Sequence, residues 1–113
     1  MKGYLTTLNK NKDFKKIYFK GKSYVSSSVV VYALKNRNNL SRYGITTSKK
    51  IGCAVKRNRA RRIIKQAFRE ISYKLKPGYD FIFVARGKTP FLTSEILKKD
   101  LYKIFKSNNL ILN

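Results

Sequence analysis

One segment, residues 48–70, constrains the fold more than any other part of the chain because it joins a cationic surface to an apolar one. It carries nine of the 27 Lys and Arg residues. Apolar side chains then recur every three or four positions, which is the spacing of one helix face. They are Ala60, Ile63, Ile64, Ala67, Phe68 and Ile71. The pattern predicts a helix over about residues 54–75 that packs one face on a core and displays positive charge on another.

The composition predicts a folded domain with a phosphate-rich partner. The formal net charge is +22, and net charge governs association rather than fold. Hydrophobic residues make up 42% of the chain, including eight Tyr and seven Phe, whereas disordered basic tails are poor in such residues. We therefore expect residues 1–113 to form one domain, with residues 1–10 loosely ordered. Nucleic acid is the leading partner and an anionic membrane is the alternative.

Apolar runs and cysteine usage argue against a membrane or secreted protein. No apolar run approaches the ~18 residues that span a bilayer. Residues 1–8 lack the continuous apolar core of a signal peptide. Cys53 is the only cysteine and cannot form an internal disulfide, which is typical of a reducing compartment. We expect a cytoplasmic protein with no membrane partner.

The remaining patterns predict an α/β (α+β) two-layer sandwich, a mixed sheet packed by helices in the order αβ(β)βαβα. Phe14, Ile17 and Tyr18 are spaced as one face of a short first helix over residues 11–20. Residues 24–34, 42–48 and 80–85 are rich in β-branched and aromatic residues and predict strands. Thr93 is a good N-cap for a final helix, whose apolar face follows. That face consists of Ile96, Leu97, Leu101, Ile104 and Phe105.

The chain lacks the usual side chains of protein catalysis. It has no histidine, so acid–base catalysis by histidine is excluded, and a zinc site would lack its Cys and His ligands. The carboxylates are scattered along the sequence, whereas a two-metal nuclease clusters them. They are Asp13, Glu70, Asp80, Glu95 and Asp100. We predict no catalytic and no metal-binding residue. A self-sufficient nuclease is therefore the least favoured hypothesis for the function.

The cationic face of the long helix favours binding of an external anion. A solvated charged face is the ordinary explanation, but solubilising surfaces mix both signs. Residues 54–70 contain one acid, Glu70, and seven Lys and Arg residues. Arg57, Arg61 and Lys65 are spaced i, i+4, i+8, so like charges repel along the rod by a few tenths of a kcal/mol per pair. Asn58 and Gly52 have simpler explanations, as a helix-start residue and a turn.

The order of residues in this segment resembles the signature of the bacterial ribonuclease P protein subunit, Ser-Lys-Lys-x-Gly-x-Ala-Val-x-Arg-Asn-Arg-x-x-Arg. Its matches are Ser48, Lys49, Lys50, Gly52, Ala54, Val55, Arg57, Asn58, Arg59 and Arg62. Upstream, Asp13 and Phe14 with Ile17, Tyr18 and Gly21 resemble the first helix of that family. Downstream, residues 80–86 resemble its last strand.

The resemblance implies both a topology and a function. It implies an α/β sandwich with an uncommon left-handed βαβ crossover around the basic helix. The protein would be one RNA-binding domain that joins a large catalytic RNA. We predict no protein partner. Together they would act as an endoribonuclease that hydrolyses precursor tRNA to release the 5′ leader. The RNA would hold the Mg²⁺ ions and carry the catalysis.

The resemblance also assigns residues to two surfaces. RNA contacts around the basic helix are expected from Lys49, Lys50, Lys56, Arg57, Asn58, Arg59, Arg61, Arg62, Lys65 and Arg69. Phe14, Tyr18 and Tyr32 would line a cleft for the single-stranded leader. Aromatic rings stack on unpaired bases with little sequence preference, at about 1–3 kcal/mol per base. The alternative for these three residues is plain core packing.

A ribosomal RNA-binding protein is the runner-up, since small size, high pI and a basic helix are common there. The ordered signature and the aromatic first helix favour the ribonuclease P subunit. Two positions depart from the family pattern. Cys53 fills a variable position and has no assigned role, and Phe19 either packs or extends the aromatic surface.

Overall fold

Five strands and three α-helices make up the part of the chain that the computed structural model describes, residues 6–8, 11–37 and 41–112. In chain order they are β1 (Thr6–Thr7), α1 (Asn11–Lys20), β2 (Lys22–Val25), β3 (Val29–Lys35), β4 (Arg42–Thr46), α2 (Ala54–Ile71), β5 (Tyr79–Ala85) and α3 (Ser94–Ser107). Short 3₁₀ turns lie at Lys49–Ile51, Ser72–Lys74 and Thr89–Phe91. These strands and helices confirm the predicted fold class, a mixed sheet packed by helices.

The strands form one mixed sheet in the order β1-β4-β5-β3-β2. β4 is parallel to β1 and to β5, whereas β3 is antiparallel to β5 and to β2. Consecutive parallel strands β4 and β5 are joined through α2, so the basic helix is the crossover of a βαβ unit. The left-handed sense of that crossover stays a prediction from the resemblance.

The predicted strand over residues 24–34 is two strands. β2 and β3 form an antiparallel hairpin whose turn consists of residues 26–28, three serines. The Ser26 hydroxyl donates to the carbonyl of Val29 at 2.8 Å and accepts from its N–H at 3.2 Å. Serine hydroxyls can replace the hydrogen bonds of a strand ladder, and here they break the strand without a glycine or a proline.

The main core lies between the sheet and the layer formed by α2 and α3. β5 presents Phe81 and Phe83 to α2, where the ring of Phe68 lies 5.9 and 4.8 Å from theirs between centroids. The predicted apolar face of α2 is confirmed as buried at Ala60, Ile64, Ala67, Phe68 and Ile71. Ile63 is only partly buried. The last predicted turn, after residue 71, is 3₁₀ rather than α.

A smaller core lies on the opposite face of the sheet, under α1. Ile17 and Ile82 are fully buried there together with Leu8. Gly44 leaves the space that the ring of Phe14 occupies, since a Cβ at this position would lie 2.7 Å from the Phe14 Cζ.

Of the residues predicted to be loosely ordered, 1–10, the structure describes 6–8. Thr6 and Thr7 pair with β4, and Leu8 is 5% exposed. The loose order of this segment stays a prediction. The rest of that prediction lies outside the described residues.

Candidate nucleic-acid interface

A fixed turn precedes the basic helix. Ser48 accepts a hydrogen bond from the backbone N–H of Lys50 at 3.3 Å and begins the 3₁₀ turn. Gly52 ends that turn with φ of 133°, a conformation that L side chains rarely adopt. The turn therefore requires the glycine of the motif, and it leaves Lys49 and Lys50 exposed beside the start of α2.

Arg57 and Arg61 bind the protein itself. Arg57 is half-buried, and its Nη1 donates to the carbonyl of Gly52 at 2.8 Å. Arg61 donates from Nη1 to the carbonyl of Ile45 and from Nη2 to Thr47 Oγ1, both at 3.0 Å. A guanidinium has five N–H donors, so these bonds fix its position and leave others for a phosphate.

The other cationic residues of the helix project into solvent. Besides Arg61, the exposed residues of the predicted set on α2 are Lys56, Asn58, Arg59, Arg62, Lys65 and Arg69. Asn58 is the fifth residue of α2, and the N-cap is Cys53. The helix-start explanation of Asn58 is therefore wrong. Its role in binding RNA, like that of the other residues of the set, stays a prediction.

Within the described residues, no carboxylate forms an ion pair with a Lys or Arg of α2. Glu70, the acid of this helix, binds Lys98 of α3 at 3.1 Å and accepts from Gln66 at 3.1 Å. The hydrogen bond from Gln66, followed by that from Lys98, lowers the pKa of Glu70. The cationic surface of α2 is thus left for an external anion.

The three predicted cleft residues lie together on the α1 side of the sheet. The rings of Tyr18 and Tyr32 meet edge to face with centroids 4.8 Å apart, and Phe14 lies 6.4 Å from Tyr18. Phe14 and Tyr32 are partly buried against the small core, so they also pack. Tyr18 is 38% exposed, and Phe19 beside it is 86% exposed and does not pack.

The end of β4 connects the aromatic cleft to the basic helix. The Tyr18 hydroxyl lies 3.4 Å from Thr46 Oγ1, at hydrogen-bond distance. The residues on either side of Thr46, Ile45 and Thr47, accept from Arg61. Three consecutive residues thus hold an exposed aromatic ring on one side and a guanidinium on the other.

All five carboxylates have partners within the protein. Asp80 is 4% exposed and accepts two hydrogen bonds from Arg42, at 3.0 and 2.8 Å. The bond to Asp80 raises the pKa of Arg42. The other pairs are Asp13 with Arg42, Glu70 and Glu95 with Lys98, and Asp100 with the Ser28 hydroxyl. In the described part of the chain, no three acidic or cysteine side chains come together as a metal site would require.

Comparison with known proteins settles the family. The family model for ribonuclease P matches residues 5–109. The chain belongs to the ribonuclease P protein family. It is 43% identical over 104 residues to the ribonuclease P protein component of Clostridioides difficile, which covers 91% of each chain.

Solved structures of ribonuclease P proteins have the same fold. The protein from Staphylococcus aureus matches with a TM-score of 0.78 and 31% identity, over 94% of this chain and 97% of that one. The protein from Thermotoga maritima matches with a TM-score of 0.79 and 28% identity, over 89% and 96%. The predicted ribonuclease P protein subunit is confirmed, and the ribosomal alternative is not favoured. Separately, none of the helices described is long and apolar enough to cross a membrane.

Two features of this surface were not predicted from the sequence. The ion network of Arg42 with Asp80 and Asp13 ties α1 to the sheet, and its members are 29 to 67 positions apart. Phe91 is 68% exposed beside α2 in a loop. Its only sequence signal is a large apolar residue among turn residues, close to Gly87 and Pro90.

Proposed function

We propose that this chain binds the catalytic RNA of ribonuclease P with α2 and holds the 5′ leader of precursor tRNA in the cleft of Phe14, Tyr18 and Tyr32. The observation that carries the proposal is the connection of the two surfaces at the end of β4, through Thr46 and Arg61. A leader lying in the cleft would reach the cationic helix at this point. The end of β4 would therefore hold the substrate and the catalytic RNA in a fixed position relative to each other.

The cleft suits a leader of variable sequence. Tyr18 offers a partly exposed ring, and its edge-to-face contact with Tyr32 fixes its orientation. Stacking on a ring requires only the π face that every base has, so it gives about 1–3 kcal/mol per base without sequence readout. An enzyme that processes many precursors needs this tolerance.

We further propose that the RNA subunit carries the catalysis and mainly holds the Mg²⁺ ions. The chain has no histidine, and its five carboxylates are used in the ion pairs and hydrogen bonds described above. Such a donor set does not fit a Mg²⁺ site, which draws on free carboxylates and water. The protein would act by binding and orientation, in a reducing cytoplasm that suits its single cysteine.

Reconstituted cleavage tests the proposal. Purified protein, ribonuclease P RNA and both together are incubated with precursor tRNA at low Mg²⁺, and products are mapped at single-nucleotide resolution. Protein alone should be inert, and the combination should cleave at the mature 5′ end. Cleavage by highly purified protein alone would overturn the assignment of catalysis to the RNA.

A matched pair of variants tests the cleft. Tyr18→Ala should weaken holoenzyme affinity for leader-bearing precursor by about five- to 150-fold, which is the stacking energy of one base. Affinity for mature tRNA should stay within twofold. Tyr73→Ala is the control, because Tyr73 is also an exposed tyrosine but lies in the 3₁₀ turn after α2, away from the cleft. Equal losses on both tRNAs would show that Tyr18 is structural.

A further inference from the structure

A second aromatic and cationic surface lies on the flank of α2 opposite Arg57 and Arg61. Phe91, in the turn between β5 and α3, is 68% exposed. The Lys56 Nζ lies 5.3 Å from the centroid of its ring, within the range of a cation–π contact. Counted at 100° per residue, Arg59 is about 160° from Arg61 around the helix. The two flanks therefore offer separate binding surfaces.

An open groove runs between this turn and α2. Its volume is about 450 Å³, in the range of sites that take small organic ligands. The helix contributes Arg59, Arg62, Ile63 and Gln66 to its lining, and the turn contributes Pro90 and Phe91. The groove therefore combines an aromatic wall, an aliphatic floor and two guanidinium groups.

The turn that presents Phe91 is fixed before any ligand binds. Thr89 is fully buried, and its Oγ1 accepts from the N–H of Arg86 at 2.8 Å and donates to the carbonyl of Ser28. The N–H of Phe91 donates to the carbonyl of Lys88 at 3.0 Å. A preorganised backbone loses little conformational freedom on binding, which favours affinity.

Nucleic acid is the partner that this chemistry fits best. An aromatic platform beside cations that track a backbone is the general means by which proteins bind unpaired nucleotides. No carboxylate lines the described groove, so an anionic ligand meets no repulsion from its walls.

We propose that this groove binds an unpaired nucleotide of the catalytic RNA, with the base stacked on Phe91 and the flanking phosphates bound by Arg59 and Arg62. The proposal rests on the function proposed above and adds a site to it. The catalytic RNA is favoured over the leader because the groove lies on the α2 side of the sheet, whereas the aromatic cleft lies on the α1 side. Two RNA elements could then bind at once.

Substitution of Phe91 tests the site against a matched control. Tyr73 is 67% exposed and has the Lys74 Nζ 5.7 Å from its ring centroid, but it lies outside the groove. Phe91→Ala should weaken catalytic RNA binding about five- to 150-fold, leave its salt dependence unchanged, and be rescued by Phe91→Trp. Tyr73→Ala should bind within twofold of the unmodified protein. Matched circular dichroism and thermal melts of each variant exclude unfolding as the cause.

Several results would overturn the site. They are Phe91→Ala binding within twofold of the unmodified protein, an equal loss for Tyr73→Ala, or a loss confined to leader-bearing precursor. Phe91-dependent binding to phosphatidylglycerol vesicles with RNA binding intact would assign the groove to a membrane instead. Failure of the site is distinguishable from failure of the proposed function. If only the site is wrong, the unmodified protein still supports RNA-dependent cleavage of precursor tRNA. If the proposed function is wrong, the unmodified protein and the RNA together do not cleave at the mature 5′ end.

Discussion

Arginines that look equivalent in the sequence have different roles on α2. Arg61 makes two hydrogen bonds to β4 and the residue after it, so it supports the fold as well as the cationic surface. Arg62 is exposed and makes no hydrogen bond or ion pair within the described part of the chain. Substitution of a residue such as Arg62 should therefore change RNA affinity without also changing the stability of the fold.

Arg62→Ala should reduce the slope of log affinity against log salt for the catalytic RNA by about 0.7–0.9, the value for one lost phosphate contact. Its free energy of unfolding should stay unchanged.

Arg61→Ala should lower the free energy of unfolding by about 1 kcal/mol, because the bonds to Ile45 and Thr47 are lost. Salt titrations and urea denaturation measure the two quantities. Lys99→Ala on α3 is the control. An equal change in salt slope for Lys99→Ala would show that the effect of Arg62→Ala comes from the loss of one positive charge anywhere on the protein.

Cys53, the N-cap of α2, is an exposed free cysteine whose thiol has a lowered pKa. The backbone N–H of Lys56, and then that of Val55, lowers its pKa from 9.0. At any pH below that value the folded protein therefore holds more thiolate than an unfolded chain does. Iodoacetamide should alkylate Cys53 faster at pH 7.5 in buffer than in 8 M urea, and bound catalytic RNA should slow the reaction. Equal rates in buffer and urea would contradict the shift.

At the scale of elements, the position of α1 depends on charges from distant strands. Arg42 on β4 binds Asp80 on β5 and lies 3.8 Å from Asp13 on α1. The Asn36 amide also donates to Asp80, at 2.9 Å. The Arg42–Asp13 pair links the helix that carries Phe14 and Tyr18 to this network, so we expect the shape of the cleft to depend on Asp80.

Asp80→Asn should lower the free energy of unfolding by about 1.5–3 kcal/mol, the range for hydrogen bonds to charged groups. The same change should reduce the preference of the holoenzyme for leader-bearing over mature tRNA. Glu95→Gln is the control because Glu95 is exposed and its surface pair with Lys98 contributes little to stability. If Asp80→Asn unfolds at the same urea concentration as the unmodified protein, the network is not a support of the fold.

The elements differ in how far their sequence predicts them. The apolar spacing along α2 is long and regular, so its span and buried face could be predicted. The break at residues 26–28 could not, because serine hydroxyls made the turn and no glycine or proline marks it. β1 has two residues and exists through its pairing with β4, 36 positions away. The cleft residues were assigned from family resemblance, but their contacts depend on how α1 packs across the sheet.

On the scale of the whole molecule, the absence of histidine makes the charge of the protein insensitive to pH near neutrality. Histidine is the side chain whose ordinary pKa lies between about pH 5 and 8, and this chain contains none. Between about pH 5.5 and 7 the charge near +22 is therefore constant. The RNA phosphates keep their charge in the same interval.

Affinity for the catalytic RNA should accordingly vary by less than about twofold from pH 5.5 to 7 at fixed salt and Mg²⁺, while falling steeply with salt. If the nine Lys and Arg residues of the predicted set each bind one phosphate, the log–log slope should approach about −6 to −8. As the pH rises, Cys53, whose pKa is lowered, ionises before an ordinary thiol and adds one negative charge beside this surface, so affinity should decline. Cys53→Ala should reduce that decline. A change of affinity below pH 7 that persists in Cys53→Ala would contradict this expectation, because the chain has no histidine to titrate there.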